Sequence, residues 1–475
     1  MLKLKLTKIN MFSQIRLLLL LLSFLFLSTR PILASDNKNI FGLHLSQTSD
    51  LSSASKIINS QGGDWGWSTV VIRQDLLNHQ QWQDFFDQCR LLHIIPIIRL
   101  STLMENNYWK TPEYSDIDSL TEFLNSLNWP TQDQHIILFN EINHAQEWGG
   151  QININDYTDK SIYIIQKLKK LNPNFKVLSS GLDLAAPDKL PDFISAETVY
   201  QQIYQYNPQY FELIDGIASH SYPNHGYIGK PTETGQHSIF GYQWELDFLK
   251  SLGVSKTYPI FITETGWPHR EGESNDNNFY TAKTSAEFLI SAYQLWQTDP
   301  QIEAVTPFIY NFPYPPFDHF SWVDKIGQIY PDYQQLIDLP KNKNTPLQIS
   351  KYELTQIKMP FFVFPDTQYQ GEATIKNTGQ SIWGEQRFCI NPESTQNINL
   401  SSICLGSQTI LPNQSQKISF SFKINKDSNH TGNSYISWQD TPAYQLETIL
   451  GNPTIYHPNT GIKRRIFNFF QNLFI

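Results

Sequence analysis

Two glutamates each come directly after a short apolar run. Glu141 lies in the segment HIILFNEIN (135–143), and Glu264 lies in YPIFITETGWP (258–268). If both runs are parallel strands of one barrel, both carboxyl groups lie at the carboxyl-terminal rim, where barrel active sites sit. Two carboxyl groups at one opening can divide the work of breaking a glycosidic bond: one protonates the leaving oxygen and the other meets the oxocarbenium-like carbon.

The elements that must position this pair alternate regularly between residues 40 and 340. Eight short apolar runs are predicted strands: 40–45, 69–73, 94–100, 135–139, 176–180, 216–219, 259–263 and 304–310. Between them lie helical patterns at 80–91, 116–127, 156–171, 242–252 and 278–297. This alternation predicts an α/β fold, a (β/α)8 TIM barrel over 35–340. A doubly wound open sheet is the alternative, but no glycine-rich phosphate loop follows the first strand.

The two motifs resemble those of a known group of enzymes. FNE (139–141) and ITETGWP (262–268) are similar to the acid/base and nucleophile motifs of clan A glycoside hydrolases, which include the retaining barrel enzymes of families 5, 39 and 53. The resemblance implies that Glu141 is the acid/base, that Glu264 is the nucleophile, and that Asn140 binds the sugar 2-hydroxyl. It implies double displacement on a β-linked poly- or oligosaccharide.

The same resemblance extends to residues at two other strand ends. ASHSYP (218–223) is similar to the HxY of several clan members, in which the histidine contacts sugar or acid and the tyrosine hydroxyl holds the nucleophile. This implies those roles for His220 and Tyr222. Arg73 resembles an arginine that lies beneath the nucleophile and would keep Glu264 ionised. A scaffold hydrogen bond for His220 and a rim salt bridge for Arg73 are the alternatives.

Further polar and aromatic residues are candidates for the rim. Trp267 and Trp148 follow the two glutamates closely, and both are predicted to be flat platforms for sugar, with core filling as the alternative. Arg99 and His44 are weaker rim candidates that we expect to be structural. No Cys/His cluster suggests a metal, and we expect no cofactor.

The pattern departs from the clan after strand eight. Many members place a tryptophan there, whereas this chain has PFIYNFPY (307–314) and its nearest tryptophan is Trp322. Tyr310, Tyr314 and Trp322 are the candidates to replace it. The sequence therefore leaves three alternatives for the residue that forms the floor of the subsite for the reacting sugar.

Composition changes beyond residue 340. A polar linker (341–350) precedes short alternating segments over 351–457, the spacing expected of a small all-β sandwich. ATIKNTGQSIW (373–383) resembles the NTG…W signature of immunoglobulin-like accessory domains. Cys389 and Cys404 fall in this region and could pair or stay free, whereas Cys89 lies on an apolar helical face and is expected to be buried.

Both ends of the chain carry special segments. Residues 1–34 have a basic start, a short apolar run and small residues before a cleavage point after Ala34, which predicts a signal peptide and a secreted or cell-surface protein; an uncleaved anchor is the alternative. The tail 458–475 is basic and amphipathic through 463–475, so peripheral membrane contact and docking on the protein itself are both open.

Charge indicates the class of ligand. Removing residues 1–34 takes away five basic and no acidic residues, which moves the formal charge from −9 to −14. Such a surface argues against nucleic-acid binding, which depends on phosphate neutralisation by Lys and Arg, and suits a neutral carbohydrate. We expect a monomer.

Three functions remain open from the sequence. A retaining glycosidase is favoured. A catalytically silent carbohydrate-binding or adhesion protein would keep the barrel without a reason to crowd two carboxylates. A transglycosylase would use the same residues with a sugar hydroxyl in place of water.

Overall fold

The computed structural model describes residues 38–358, 360, 362–363, 367–384, 389–392, 398–401, 403–404, 409–424, 435–440, 444–449 and 454–455. The predicted signal peptide (1–34) and tail (458–475) lie outside these residues. In the described part, no helix is both long enough and apolar enough to cross a membrane.

Residues 42–338 contain eight barrel strands that alternate with helices, and a short antiparallel hairpin, Met104–Glu105 with Tyr108–Trp109, lies between the third strand and the next helix. The strands are β1 Gly42–Leu45, β2 Gly66–Arg73, β3 Ile94–Ser101, β4 Gln134–Ile137, β5 Phe175–Leu178, β6 Ile217–His220, β7 Ile260–Glu264 and β8 Ile302–Val305. The helices are α1 Leu51–Ile58, α2 His79–Leu91, α3 Tyr114–Ser126, α4 Ile154–Leu171, α5 Ala196–Tyr206, α6 Gln209–Leu213, α7 Gly241–Leu252, α8 Ala282–Trp296 and α9 Gln334–Asp338.

The eight strands close into a ring. β1 to β5 pair in parallel and in chain order, and β6, β7 and β8 form a second parallel set. Parallel bridges between Leu178 and Gly216 and between Phe41 and Val305 join the two sets at both edges. The predicted (β/α)8 barrel is confirmed, and the doubly wound alternative is wrong.

The strands are apolar on both faces because each face is covered. Trp67, Ile97, Ile137 and Phe261 meet inside the ring, whereas a larger cluster packs between the strands and the outer helices. Burial on both sides is the reason that parallel strands are almost continuous apolar runs, which is the pattern that the sequence shows.

Polar side chains determine where several helices begin. The side chains of Asn78, Asn153 and Thr281 accept hydrogen bonds from backbone N–H groups of the first turns of α2, α4 and α8. Such caps satisfy N–H groups that the helix itself leaves unpaired. Because Thr281 is a cap, α8 begins four residues later than the predicted helix 278–297.

The sequence patterns missed α1, α5, α6 and α9, and they extended β8 too far. The predicted strand 304–310 ends at Val305, before Pro307. Proline has no backbone N–H to give to a neighbouring strand, so the chain leaves the sheet there.

Beyond residue 350, the regular secondary structure of the described residues is all β-strand. Its strands are β9 Tyr352–Lys358, β10 Phe362–Val363, β11 Gln368–Asn377, β12 Cys389–Pro392, β13 Ile398–Leu400, β14 Ile403–Cys404, β15 Ser415–Ile424, β16 Tyr435–Asp440, β17 Tyr444–Ile449 and β18 Thr454–Ile455. Two four-stranded antiparallel sheets run in the orders β9-β11-β15-β13 and β14-β12-β16-β17, while β10 and β18 pair in parallel. The immunoglobulin-like assignment and the domain boundaries stay predictions.

The NTG segment contacts the barrel. The side chain of Gln380 donates to the carbonyl of Thr131 at 2.8 Å, and the side chain of Asn128 donates to the carbonyl of Gly379 at 2.9 Å. Residues 128–131 lead into β4, at the end of the barrel opposite its carboxyl-terminal rim. The β region is therefore attached away from that rim.

Candidate active site

A cleft of about 690 Å³ opens at the carboxyl-terminal rim of the barrel. Loops after several strands line it, and both predicted glutamates, Glu141 and Glu264, are among its lining residues. Of the other predicted site residues, Asn140, Arg73 and Tyr222 also line it. Strands far apart in the sequence thus deliver acidic and polar groups to one opening.

The two carboxyl groups meet across the cleft. One carboxylate oxygen of Glu141, one of Glu264 and a ring nitrogen of His220 all lie within 4.8 Å of one another. Nδ1 of His220 is 2.9 Å from Oε1 of Glu141 and 3.8 Å from Oε2 of Glu264. The carboxyls are therefore close enough to act on one small group between them.

Glu264 is buried and surrounded by donors. Nη1 of Arg99 donates to its Oε1 at 2.5 Å, and the hydroxyl of Tyr222 donates to its Oε2 at 3.1 Å. Burial alone would raise the pKa of Glu264, but the charges of His220, Arg99 and His44 outweigh that effect and lower the pKa to about 2. Glu264 is consequently an anion over the whole neutral and mildly acidic range.

The arginine beneath Glu264 is Arg99 and not Arg73, so that expectation is wrong. Arg73 ends β2 and lines the cleft, but its guanidinium pairs with Asp75 two residues further on, at 2.6 Å. Arg99, two residues before the end of the neighbouring strand β3, reaches across the ring to Glu264. The sequence had placed Arg99 among the residues expected to be structural.

Two histidines complete the surroundings of Glu264. Burial lowers the pKa of His44 to about 4, so its ring is neutral near pH 7, and its Nδ1 lies 3.3 Å from the carbonyl of Thr263. For His220, burial lowers the pKa, but Glu264 and Glu141 outweigh burial and raise it. His220 is thus the histidine that carries a proton more readily.

The backbone around Glu141 adopts conformations that side chains rarely allow. Phe139 and Glu141 have φ of 65° and 27°, in the left-handed region. Such strain persists only where the surrounding structure holds it, and it is common at active sites. Gly181 provides a matching gap, because a Cβ there would lie 2.3 Å from the ring of His220. Only glycine therefore lets that ring reach Glu141.

The two predicted sugar platforms are wrong. Trp148 and Trp267 are each only 1% exposed, and their indole N–H groups donate to Asp156 at 3.0 Å and to the carbonyl of Gly229 at 2.6 Å. No ring face is left for a ligand. Both tryptophans are instead buried anchors of the loops that follow Glu141 and Glu264.

The cleft has an aromatic wall, which we define as Phe308, Phe312, Phe317 and Phe320. These rings pack edge to face at centroid distances of 5.0 to 5.8 Å. Phe308 follows β8, and its ring lies 5.2 Å from that of His44, beside Glu264. Phe308 thus lies on the side of the cleft for which the sequence suggested Tyr310, Tyr314 or Trp322.

Those three candidates lie elsewhere. Trp322 is 1% exposed and Tyr310 is 6% exposed, so both rings are buried in the barrel. Tyr314 is exposed and is not among the residues that line the cleft. The signal for Phe308 was its position directly after Pro307, where the strand ends.

A third carboxyl, that of Glu147, also lines the cleft and was missed. It lies six residues after Glu141, at the end of a short 3₁₀ helix, Ala145–Glu147. Nothing in the local sequence distinguishes Glu147 from an ordinary solvent-exposed glutamate, because acidic residues in loops usually face water. Only the fold shows that this loop turns back over the cleft.

A metal ion is not required to explain this arrangement. Glu141, His220 and Glu264 form the one group in the described residues whose ligand atoms could surround an ion. Arg99 already places a cation against Oε1 of Glu264, and His220 contacts Glu141. The atoms that could bind a metal ion thus already contact charged or polar groups of the protein.

No family model matches the chain, and no curated protein matches it. Among solved structures, it is similar to an α-L-arabinofuranosidase from Thermotoga maritima in an arabinose complex, with 12% identity, a TM-score of 0.41, and coverage of 82% of this chain and 97% of that one. It is also similar to the GH53 catalytic domain of Ignisphaera aggregans, with 14% identity, a TM-score of 0.41, and coverage of 66% and 98%.

A third similar structure is a β-glucanase from Saccharophagus degradans in complex with cellotetraose. The identity is 12%, the TM-score is 0.39, and the match covers 63% of this chain and 86% of that chain. All three likenesses are distant.

Proposed function

We propose that this protein is a retaining glycoside hydrolase that cleaves β-linked poly- or oligosaccharides by double displacement. The observation that carries the proposal is the meeting of Glu141 and Glu264 across one cleft, where one carboxylate oxygen of each lies within 4.8 Å of one of the other. Retaining enzymes hold their carboxyls about 5–5.5 Å apart, whereas inverting ones leave about 6.5–9.5 Å for a water molecule. The short separation supports retention.

The electrostatics support a division of roles. Glu264, with its pKa lowered to about 2, is ionised and faces the cleft, as a nucleophile on the anomeric carbon must be. Glu141 is less buried and contacts His220, a partner that can exchange protons. In the first step Glu141 protonates the leaving oxygen while Glu264 forms the glycosyl ester. In the second step Glu141 takes a proton from water, which releases the sugar.

Substitution of each glutamate tests this division with a panel of aryl β-glycosides. We expect Glu141→Ala and Glu264→Ala each to lower kcat by at least about 1000-fold, with azide restoring turnover of Glu264→Ala and giving a glycosyl azide of inverted configuration. Glu287→Ala, on the exposed face of α8, is the matched control and keeps full activity. Full activity in either active-site variant would remove that residue from its role.

A transglycosylase is the second candidate, favoured by the aromatic wall. Phe308, Phe312, Phe317 and Phe320 offer apolar surface beside the nucleophile, which suits a sugar or alcohol acceptor better than water. Product analysis with added acceptors separates the two functions. A hydrolase gives mostly free sugar, whereas a transglycosylase gives mostly the new glycoside.

The proposed place of action is outside the cytoplasm. The basic, apolar and small-residue order of residues 1–34 supports export, and the excess of acidic residues in the remainder suits a neutral substrate. N-terminal sequencing of the exported protein tests this. We expect the first residue to be Ser35, and a start at Met1 would favour the uncleaved anchor.

A further inference from the structure

Two serines lie on the face of β6 that points away from the cleft. Ser219 and Ser221 are both fully buried, and their hydroxyl oxygens lie 2.8 Å apart. The two residues that alternate with them, His220 and Tyr222, contact the two catalytic carboxyls at 2.9 Å and 3.1 Å. Successive residues of an extended chain point to opposite sides. Whatever holds the serines in place therefore also sets the position of His220 and Tyr222.

A carboxyl behind β6 accepts from the first of these serines. Glu245 of α7 is fully buried; the hydroxyl of Ser219 donates to its Oε2, and the hydroxyl of Tyr200 on α5 donates to its Oε1 at 2.5 Å. Burial of a carboxyl costs free energy unless hydrogen bonds compensate for the lost water. A side chain that only filled this space could be apolar and would avoid that cost. The buried position of Glu245 is thus explained by the two hydroxyls that it binds.

The hydrogen bonds of this outer network all run in one direction. Each hydroxyl has a single proton to donate, and Ser219 gives its proton to Glu245, so Ser219 must accept from Ser221. Ser221 in turn accepts from the backbone N–H of Tyr242, which is also on α7, at 3.0 Å. The chain of bonds from Tyr242 therefore ends on the carboxyl of Glu245. Removal of that acceptor would leave a buried hydroxyl donor without a partner.

The pairing of β6 with β7 shifts its register next to this network. Ser219 pairs with Ile262, but the next residue, His220, pairs with Glu264, so Thr263 is passed over. The register shift places His220 beside the nucleophile. Irregularities of this kind are common next to active sites, where they re-aim a side chain.

Hydrogen bonds lie on both sides of the register shift. Before it, Ser219 is bonded to Glu245 on α7. After it, the carbonyl of Ser221 accepts from the hydroxyl of Thr265, the residue that follows the nucleophile, at 2.6 Å. The outer network thus joins α7 and β6 to the end of β7, which carries Glu264.

Within the glycosidase proposed above, we infer that Glu245 is a positioning residue for the catalytic carboxyls. Acting through Ser219, it holds the register shift that brings His220 beside Glu264. Glu245 is not among the residues that line the cleft, so it acts only through these bonds. The catalytic consequence rests on the proposed function, whereas the contacts themselves do not depend on it.

Steady-state kinetics with an aryl β-glycoside test the inference. We expect Ser219→Ala and Glu245→Leu each to lower kcat about 10- to 100-fold with KM within about twofold, because small displacements of reacting groups slow the chemical step. Glu245→Gln keeps an oxygen that can accept from Ser219, so its kcat should stay within about threefold of wild type. The double variant Ser219→Ala/Glu245→Leu should be at most about twofold slower than Glu245→Leu alone, since both changes remove the same bond.

Tyr258→Phe is the matched control for a loss of stability. The buried hydroxyl of Tyr258 donates to the carbonyl of Phe211 at 2.6 Å, before the amino end of β7. Loss of this bond should lower the melting temperature but keep kcat. Thermal unfolding shows which variants are folded in the assay, and if Glu245→Leu is not, Ser219→Ala decides. Wild-type kcat in Ser219→Ala, an equal fall in Tyr258→Phe, or multiplied losses in the double variant would overturn the inference.

The titration of His220, followed by NMR of labelled histidine, tests the inference without turnover. Burial lowers the pKa of His220, but Glu264 and Glu141 outweigh burial and raise it, with Arg99 opposing them. If Ser219→Ala lets the ring move away from the carboxyls, its titration should move to lower pH. Ser219→Ala removes no charge, so an unmoved titration in the folded variant contradicts the inference. Loss of activity in Glu141→Ala and Glu264→Ala tests the proposed function separately.

Discussion

The guanidinium of Arg99 lies against Glu264, with Nη1 2.5 Å from Oε1, although β3 and β7 are on different sides of the barrel. Both groups are largely withdrawn from water, so the pair is held at a lower dielectric than on the surface. A cation in that position keeps the neighbouring carboxyl ionised, which a nucleophile needs.

Replacement of Arg99 by methionine should move the acid limb of the pH profile. The lowered pKa of Glu264 keeps its active anionic form present down to about pH 2, and activity is lost as the pH falls through that value. Without the cation the pKa rises, so we expect the limb to move up by about 1–2 pH units. Arg73→Met is the matched control, because Arg73 pairs with Asp75 instead, and an equal movement there would contradict the assignment.

Replacement of Trp267 by phenylalanine should lower stability without weakening substrate binding. The buried carbonyl of Gly229 would lose its donor, which costs about 1–3 kcal/mol in the free energy of unfolding. Urea unfolding and KM measure the two effects separately. Trp109, which lines the cleft and is half-buried, is the comparison: Trp109→Phe should affect KM more than stability. A raised KM with unchanged stability in Trp267→Phe would restore the platform role.

Phe308→Ala should raise KM. The ring lies beside His44 and Glu264, on the side where the reacting sugar must sit, and an aromatic contact contributes about 0.5–1.5 kcal/mol. We expect KM to rise about three- to tenfold, with Phe308→Trp retaining tight binding. Tyr314→Ala, at an exposed ring outside the cleft, should leave KM unchanged; a larger effect there than at Phe308 would mean that the sugar binds elsewhere.

Cys389 and Cys404 are opposite each other in the antiparallel pair β12–β14. Directly opposed residues in such a pair have Cα atoms about 4.5–5.5 Å apart, within the range of disulfides, about 4.4–6.8 Å. We predict that they pair under the oxidising conditions that the proposed export implies. Peptide mapping without reductant should yield one cross-linked peptide, with Cys89, which is buried, remaining a free thiol. Two alkylated peptides from this region would show that the cysteines stay reduced.

The sequence predicted the barrel because parallel strands must be apolar on both faces, and eight such runs stand out between residues 40 and 310. It also predicted the glutamates, since each follows a strand directly. The side chains that reach across the ring were harder to predict from the sequence. Arg73 and Arg99 both end strands, and their local sequences do not reveal that Arg73 turns back to Asp75 while Arg99 extends to Glu264.

Loops were beyond the reach of sequence patterns for a similar reason. Trp148 and Glu147 are neighbours, yet the tryptophan is buried and the glutamate lines the cleft, the reverse of the expectation that the tryptophan would bind sugar. Which of two adjacent residues faces a ligand depends on the course of the whole loop. That course is set here by contacts with distant elements, such as the indole of Trp148 on Asp156 of α4.

The most direct test of the central claim is to trap the covalent intermediate with an activated 2-deoxy-2-fluoro β-glycoside and locate it by peptide mass mapping. The proposed mechanism predicts one sugar attached to the peptide that contains Glu264, none in Glu264→Gln, and a released product that keeps the β configuration. A label on any other residue, or a product of inverted configuration from the wild type, would contradict the assignment of Glu264 as nucleophile.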